Sequence, residues 1–174
     1  MPSESARMSS AAEARFRIDS PNSRPRAVKV IALDAPSERV VKNLAKLEWR
    51  SASFLTASAF SAAVQGGVEP KARFSLGGWL NDLAGRTKDL VDEVGSADLV
   101  VMVASAGENA AAASLIGEAC ALKHVMTTAL ILGSAATSDA ALSKMLAQLR
   151  PHAMMLVIAS ADEYVCDMLT ALRA

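Results

Sequence analysis

The sequence predicts an α/β domain of three layers, doubly wound, Rossmann-like or flavodoxin-like, built on a mainly parallel five-stranded sheet. Three observations carry this expectation. Short apolar runs recur along the chain and are nearly uniform rather than alternating, as in VVMVA and MMLVIA. Uniform runs mark strands covered on both faces. These runs alternate with segments of helical periodicity, and regular alternation through crossover helices means parallel strands. Residues 98–117, DLVVMVASAGENAAAASLIG, pass from an apolar run through a turn of small residues into an alanine-rich helix start. That is the shape of a buried strand feeding a helix, and such turns are where these folds bind ligands.

The elements follow in order. Residues 1–26 are expected to form a flexible N-terminal arm, closed by the turn-forming SPNSRPR at 20–26, and residues 27–174 a single domain. AVKVIAL at 27–33 is β-branched and apolar, hence a strand. Asp34, Ala35 and Pro36 make the turn, and Ser37 is a helix N-cap before an apolar face of Val40, Val41, Leu44 and Leu47. A weaker strand spans 53–58. The glycines and proline of 65–78 predict a long loop or a short extra strand at 72–75. Helix is expected from Trp79 towards Val94, with Leu80, Leu83, Leu90 and Val91 inward and Gly95 as C-cap. A third strand at 99–104 leads into a helix at 107–123, and a fourth strand at 125–132 follows. Thr137 or Ser138 caps the next helix, which ends near Leu149 ahead of Pro151. A fifth strand at 154–159 and a helix at 161–172 complete the order. Strand orders 3-2-1-4-5 and 2-1-3-4-5 both fit.

Composition narrows the partners. The 174 residues suffice for one core, and 18 basic side chains balance 18 acidic ones. No nucleic acid or membrane partner is expected from that balance. Arg15, Arg17, Arg24 and Arg26 read as a solvated part of the arm. Cys120 and Cys166 fall at apolar helical positions with no CxxC pairing, which predicts reduced core thiols and a cytoplasmic location. No run reaches the roughly 18 apolar residues of a membrane span. The first residues lack the apolar core of a secretory signal, and Glu4, Glu13 and Asp19 argue against a transit peptide.

Motifs that fix a reaction are missing. The first strand runs into DAPSE rather than GxGxxG, no GxxxxGK[ST] occurs, and the third-strand turn holds only Gly107. Glu108 beside it would repel a phosphate. His124 and His152 have no second ligand at useful spacing, so no metal is expected. A serine triad through Ser105, Ser134 or Ser160 lacks the GxSxG elbow. A phosphoacceptor site would want a lysine after Ala159, and none follows. Three strand ends nevertheless share a pattern: ASAGE at 104–108, GSAATSD at 133–139 and ASADE at 159–163. Small residues let the chain turn tightly, and the acidic residue complements a helix dipole. The same pattern makes a shallow cleft at the carboxyl edge of the sheet. The candidate ligand-binding residues are Asp34, Ser105, Gly107, Glu108, Asn109, Ser134 and Ser160, with Asn109 orienting a ligand carbonyl or hydroxyl. Ser105 and the amides around Gly107 would take the ligand's anionic part. A bulky residue at Gly107 is expected to abolish binding without unfolding the domain.

The expected function is therefore the binding of a small polar or phosphorylated ligand at the strand ends, its cofactor and chemistry unspecified. The alternative is a non-catalytic, homo-oligomerising interaction domain. For that reading the alanine-rich helix 109–121 offers close packing. Met126, Met145, Met154, Met155 and Met168 offer adaptable apolar surface, and Trp49 and Trp79 offer anchors.

Residues 97–132, ADLVVMVASAGENAAAASLIGEACALKHVMTTALIL, resemble the central part of the nucleotide-binding domain of the tubulin-like division GTPase FtsZ. There a strand of type ADMVFITAG leads into a glycine-rich phosphate loop, a helix and another apolar strand. AVKVIALDA at 27–35 sits where that family's first nucleotide-binding strand would be. The family's GGGTGTG loop is replaced here by SAGENAAAA. The resemblance implies a degenerate relative that has lost GTP hydrolysis and lacks the family's second domain.

Overall fold

The structure, a computed structural model, describes residues 25–65, 80–133, 135, 137–160 and 162–174. The expected arm up to Arg24, the expected strand at 72–75, Trp79 and Ser134 lie outside the described residues.

The domain is α/β, and among the described residues its sheet has seven strands rather than the expected five. They are β1 (Val28–Ala32), β2 (Ala52–Thr56), β3 (Leu80–Asp82), β4 (Thr87–Lys88), β5 (Leu99–Ser105), β6 (Met126–Leu132) and β7 (Met155–Ala159). The helices are α1 (Ala35–Leu44), α2 (Ser58–Gln65), α3 (Leu90–Gly95), α4 (Ala112–Lys123), α5 (Asp139–Leu149) and α6 (Glu163–Ala171), with a 3-10 turn at Arg150–His152. Across the sheet the order is β4-β3-β2-β1-β5-β6-β7. The five long strands are parallel, with Val28 beside both Ala52 and Leu99. In their own order they read 2-1-3-4-5, which decides between the two arrangements the sequence allowed. β3 and β4 add an antiparallel hairpin outside β2.

Successive strand residues point to opposite faces. One set, including Ile31, Leu33, Met102, Ala104 and Ile131, is buried against α2, α3, α4 and α5 through Phe60, Val94, Ile116 and Met145. The other, including Val30, Val101, Val103 and Leu130, is buried against α1 and α6 through Val41, Val165 and Leu169. Both faces are covered, which is why the runs lack alternation. Lys29 interrupts β1 because its Nζ pairs with Glu93 of α3 at 2.7 Å. Cys120 is buried in the first layer, and burial pushes its thiol up to about 12, so it stays protonated and inert.

Four elements depart from expectation. The helix expected from Trp79 is confined to α3, and 80–88 fold back as the hairpin. The apolar spacing there was helical, but Gly85 takes a φ of +81° and the Asp82 carboxylate accepts from the amides of Ala84 and Arg86 at 3.0 and 2.9 Å. Side-chain capture of local amides competes with helix. Asp89 then caps α3 by accepting from Val91 and Asp92. The helix expected at 107 starts at Ala112, after a turn in which the Glu108 amide donates to the Ser105 carbonyl. Gly107 sits third in that turn with a φ of +91°, the position where a type II turn demands glycine. Ser37 is not the N-cap: Asp34 is, and Ser37 closes a capping box with it. Finally, Ser58 opens α2 rather than ending β2, because its amide donates to Thr56 Oγ1 at 3.1 Å and turns the chain.

Candidate functional site

In this topology the connections leaving β1 and β5 diverge to opposite faces, which opens a crevice at their carboxyl ends. Asp34 stands in it, 3% exposed. Its Oδ1 accepts from the Ser37 amide at 2.8 Å, and its Oδ2 accepts from the Ser105 amide at 2.8 Å. The Asp34 amide donates to Ser37 Oγ at 3.2 Å, and that hydroxyl donates to the Asp34 carbonyl at 3.0 Å. One carboxylate thus caps α1 and ties the ends of β1 and β5. Both its oxygens are engaged by the protein, and the Ser105 amide that could have met an anion is occupied.

The other expected residues divide between two depressions. Ser105 lines a cleft of about 390 Å³ with Pro36, Arg39, Val40 and Asn43 of α1 and its first turn. Ala106, Leu132, Gly133 and Asp162 complete it. Gly107, Glu108 and Asn109 line a second depression, of about 420 Å³, with Lys144, Met145 and Gln148 of α5. The turn at 105–108 is the wall between them. Asn109 Oδ1 accepts from the Ala111 amide at 2.8 Å, which fixes its side chain. Gln148 accepts from the Ala110 amide at 3.2 Å. Ser160 is exposed at the end of β7 and lines neither depression.

Arg39, Asn43 and Asp162 were not singled out from the sequence. The signal for two of them was available: Pro36, Arg39, Val40 and Asn43 recur at helical spacing along one face of α1. A triad through Ser105 is ruled out by position. His124 and His152 flank the amino ends of β6 and β7, the length of a seven-residue strand, about 20 Å, from Ser105. Among the described residues no three metal-binding side chains gather at one place, and no helix is long and apolar enough to cross a membrane.

At the end of β2 stands a second polar cluster. Glu38 accepts from Thr56 Oγ1 at 2.9 Å and from Ser58 Oγ, and pairs with Lys42 at 2.6 Å. Burial alone would push this carboxyl up, but the hydrogen bonds from Lys42, Ser58 and Thr56 together outweigh it and hold it below the ordinary glutamate value. A depressed carboxyl stabilises the fold above its unfolded value and loses that contribution as pH falls through the folded one. Stability is therefore expected to decline as pH drops below about 4.3, the unfolded range. Glu38→Gln should flatten that decline in thermal melts taken from about pH 6 down to about pH 3. Equal acid sensitivity in the variant would mean that other carboxylates carry the effect.

The chain matches no protein-family model, and no curated protein matches it.

Proposed function

We propose that the domain binds a small polar ligand in the cleft between α1 and the start of α6, over the carboxyl ends of β5 and β6. The observation that carries the reading is the convergence of a guanidinium, an amide, a hydroxyl and a carboxylate on one depression beside the crevice: Arg39, Asn43, Ser105 and Asp162. Pro36, Val40 and Leu132 supply an apolar wall. A pocket of this size with a few polar groups on an apolar wall is what a small molecule needs.

The charges suggest the ligand class. Arg39 would take a carboxylate or a single phosphate, and Asp162 an amine or hydroxyl donor. A polyphosphate fits poorly, because no glycine loop brings amides to it and the Ser105 amide is held by Asp34. On this reading the resemblance to FtsZ is one of layout, with GTP hydrolysis gone along with the loop.

Arg39 and Asn43 are exposed, so Arg39→Ala and Asn43→Ala should leave the fold intact. Native mass spectrometry of the purified protein is expected to show a retained small molecule, or thermal melts a stabilisation by small carboxylates or phosphomonoesters. Arg39→Ala should weaken that binding at least tenfold, the loss of one charged hydrogen bond. Binding that survives both substitutions would move the site elsewhere.

A further inference from the structure

We propose that β7 is a homodimer interface, pairing antiparallel with the same strand of a second copy about a two-fold axis. The two edges of the sheet are built differently. At one edge stands β4, only Thr87–Lys88, beside a turn in which Arg86 pairs with Asp82 at 2.7 Å. A short, charged edge is how proteins prevent further strand pairing. At the other edge stands β7, five residues long, in a stretch AMMLVIAS at 153–160 that holds neither charge nor proline. Among the described residues nothing pairs with its outer side.

Apolar side chains gather at this edge. Met154, Met155 and Ile158 are 79%, 45% and 45% exposed. Met126, at the start of β6, lines one depression with Met154, whose amide donates to the Thr127 carbonyl. Of the seven exposed large hydrophobic residues among those described, Met154, Met155 and Ile158 belong to this edge and Met126 opens the neighbouring β6.

The absence of charge selects the occupant. A strand with no charge offers nothing to a charged partner, whereas two copies meeting about a dyad bring no like charges together. Met155 and Ile158 project to opposite faces of the sheet, so each face of the junction receives apolar cover from both copies. Isologous pairing satisfies the outward amides and carbonyls of both strands at once and joins two seven-stranded sheets into one. None of the residues lining the ligand cleft belongs to β7, so the two proposals stand or fall separately.

Sedimentation of the full chain across a concentration series, near 1 to 100 µM, tests the interface. The expected result is a species of twice the chain's mass at the upper end. Ile158→Lys and Ile158→Glu should each raise the dimer dissociation constant at least tenfold, because each sets like charges across the dyad. Mixing the two variants should restore a dimer containing one of each, which no folding defect would produce. Met155→Lys repeats the test on the other face. A wild-type chain that stays monomeric throughout, or a dimer that persists unchanged in all three variants, would overturn the proposal.

Discussion

Asp34→Ala is expected to destabilise the domain by about 3 kcal/mol, the largest effect of any single polar substitution described above. The helix cap contributes about 1 kcal/mol and the charge-assisted hydrogen bond from the Ser105 amide about 1.5–3 kcal/mol. Alanine removes both and leaves the buried amide of Ser37 and the half-buried amide of Ser105 without their acceptor. For a domain of this size the melting temperature should fall by about 6–12 °C. Asp34→Asn separates the two roles. Its one oxygen can still cap α1, but its NH₂ then faces the amide of Ser105, donor against donor. An intermediate loss is expected for asparagine. A loss below about 0.5 kcal/mol for alanine would show that the tie between β1 and β5 is redundant. Calorimetry of the three proteins decides it.

The second large effect is expected at Gly117, midway along α4. A Cβ placed there would lie 2.6 Å from His152 Cβ and 2.7 Å from its Nδ1. No atom pair of that kind approaches so closely, so the 3-10 turn must move away from the helix. Gly117→Val gains some helix propensity, a few tenths of a kcal/mol. Overpacking a fitted contact costs about 1–3 kcal/mol, and it wins. The net loss should be about 2 kcal/mol, a drop of about 4–8 °C. His152→Gly removes the opposing side chain, so the double variant should recover part of the loss. A coupling energy near zero would mean that the strain relaxes elsewhere.

How far the sequence could be read depended on how local each determinant is. The parallel core was legible because β5 and β6 are apolar at almost every position, and only strands buried on both faces tolerate that. The hairpin at 80–88 was not, since Leu80, Leu83 and Leu90 are spaced as in a helix. The opposing signal was a single Asp82 collecting amides around Gly85. Strand order was open because it depends on contacts between distant segments, such as Val28 with Leu99. The site followed the same rule. Ser105 and Gly107 could be placed at a strand end from the sequence. That Asp34 would turn inward and engage Ser105 could not, and neither could the division of Ser105 from Asn109 by their shared turn. Gly117 carried a readable signal, a glycine within an alanine-rich helix, that points to close approach by a neighbour.

The central place of β1 bears on how the chain reaches this fold. β1 is the first strand of the described domain, yet one of its neighbours comes from β5, and the bond from Ser105 to Asp34 spans 71 residues. During synthesis this central strand emerges ahead of β5 and must wait for it before its second side is covered. Early pairing with β2 is comparatively cheap, across the 24 residues that separate Lys29 from Ser53, whereas closing the longer loop carries more of the entropic penalty. The rate of folding should therefore be set by the arrival of β5 beside β1, with the nascent chain exposing VKVIA until that moment.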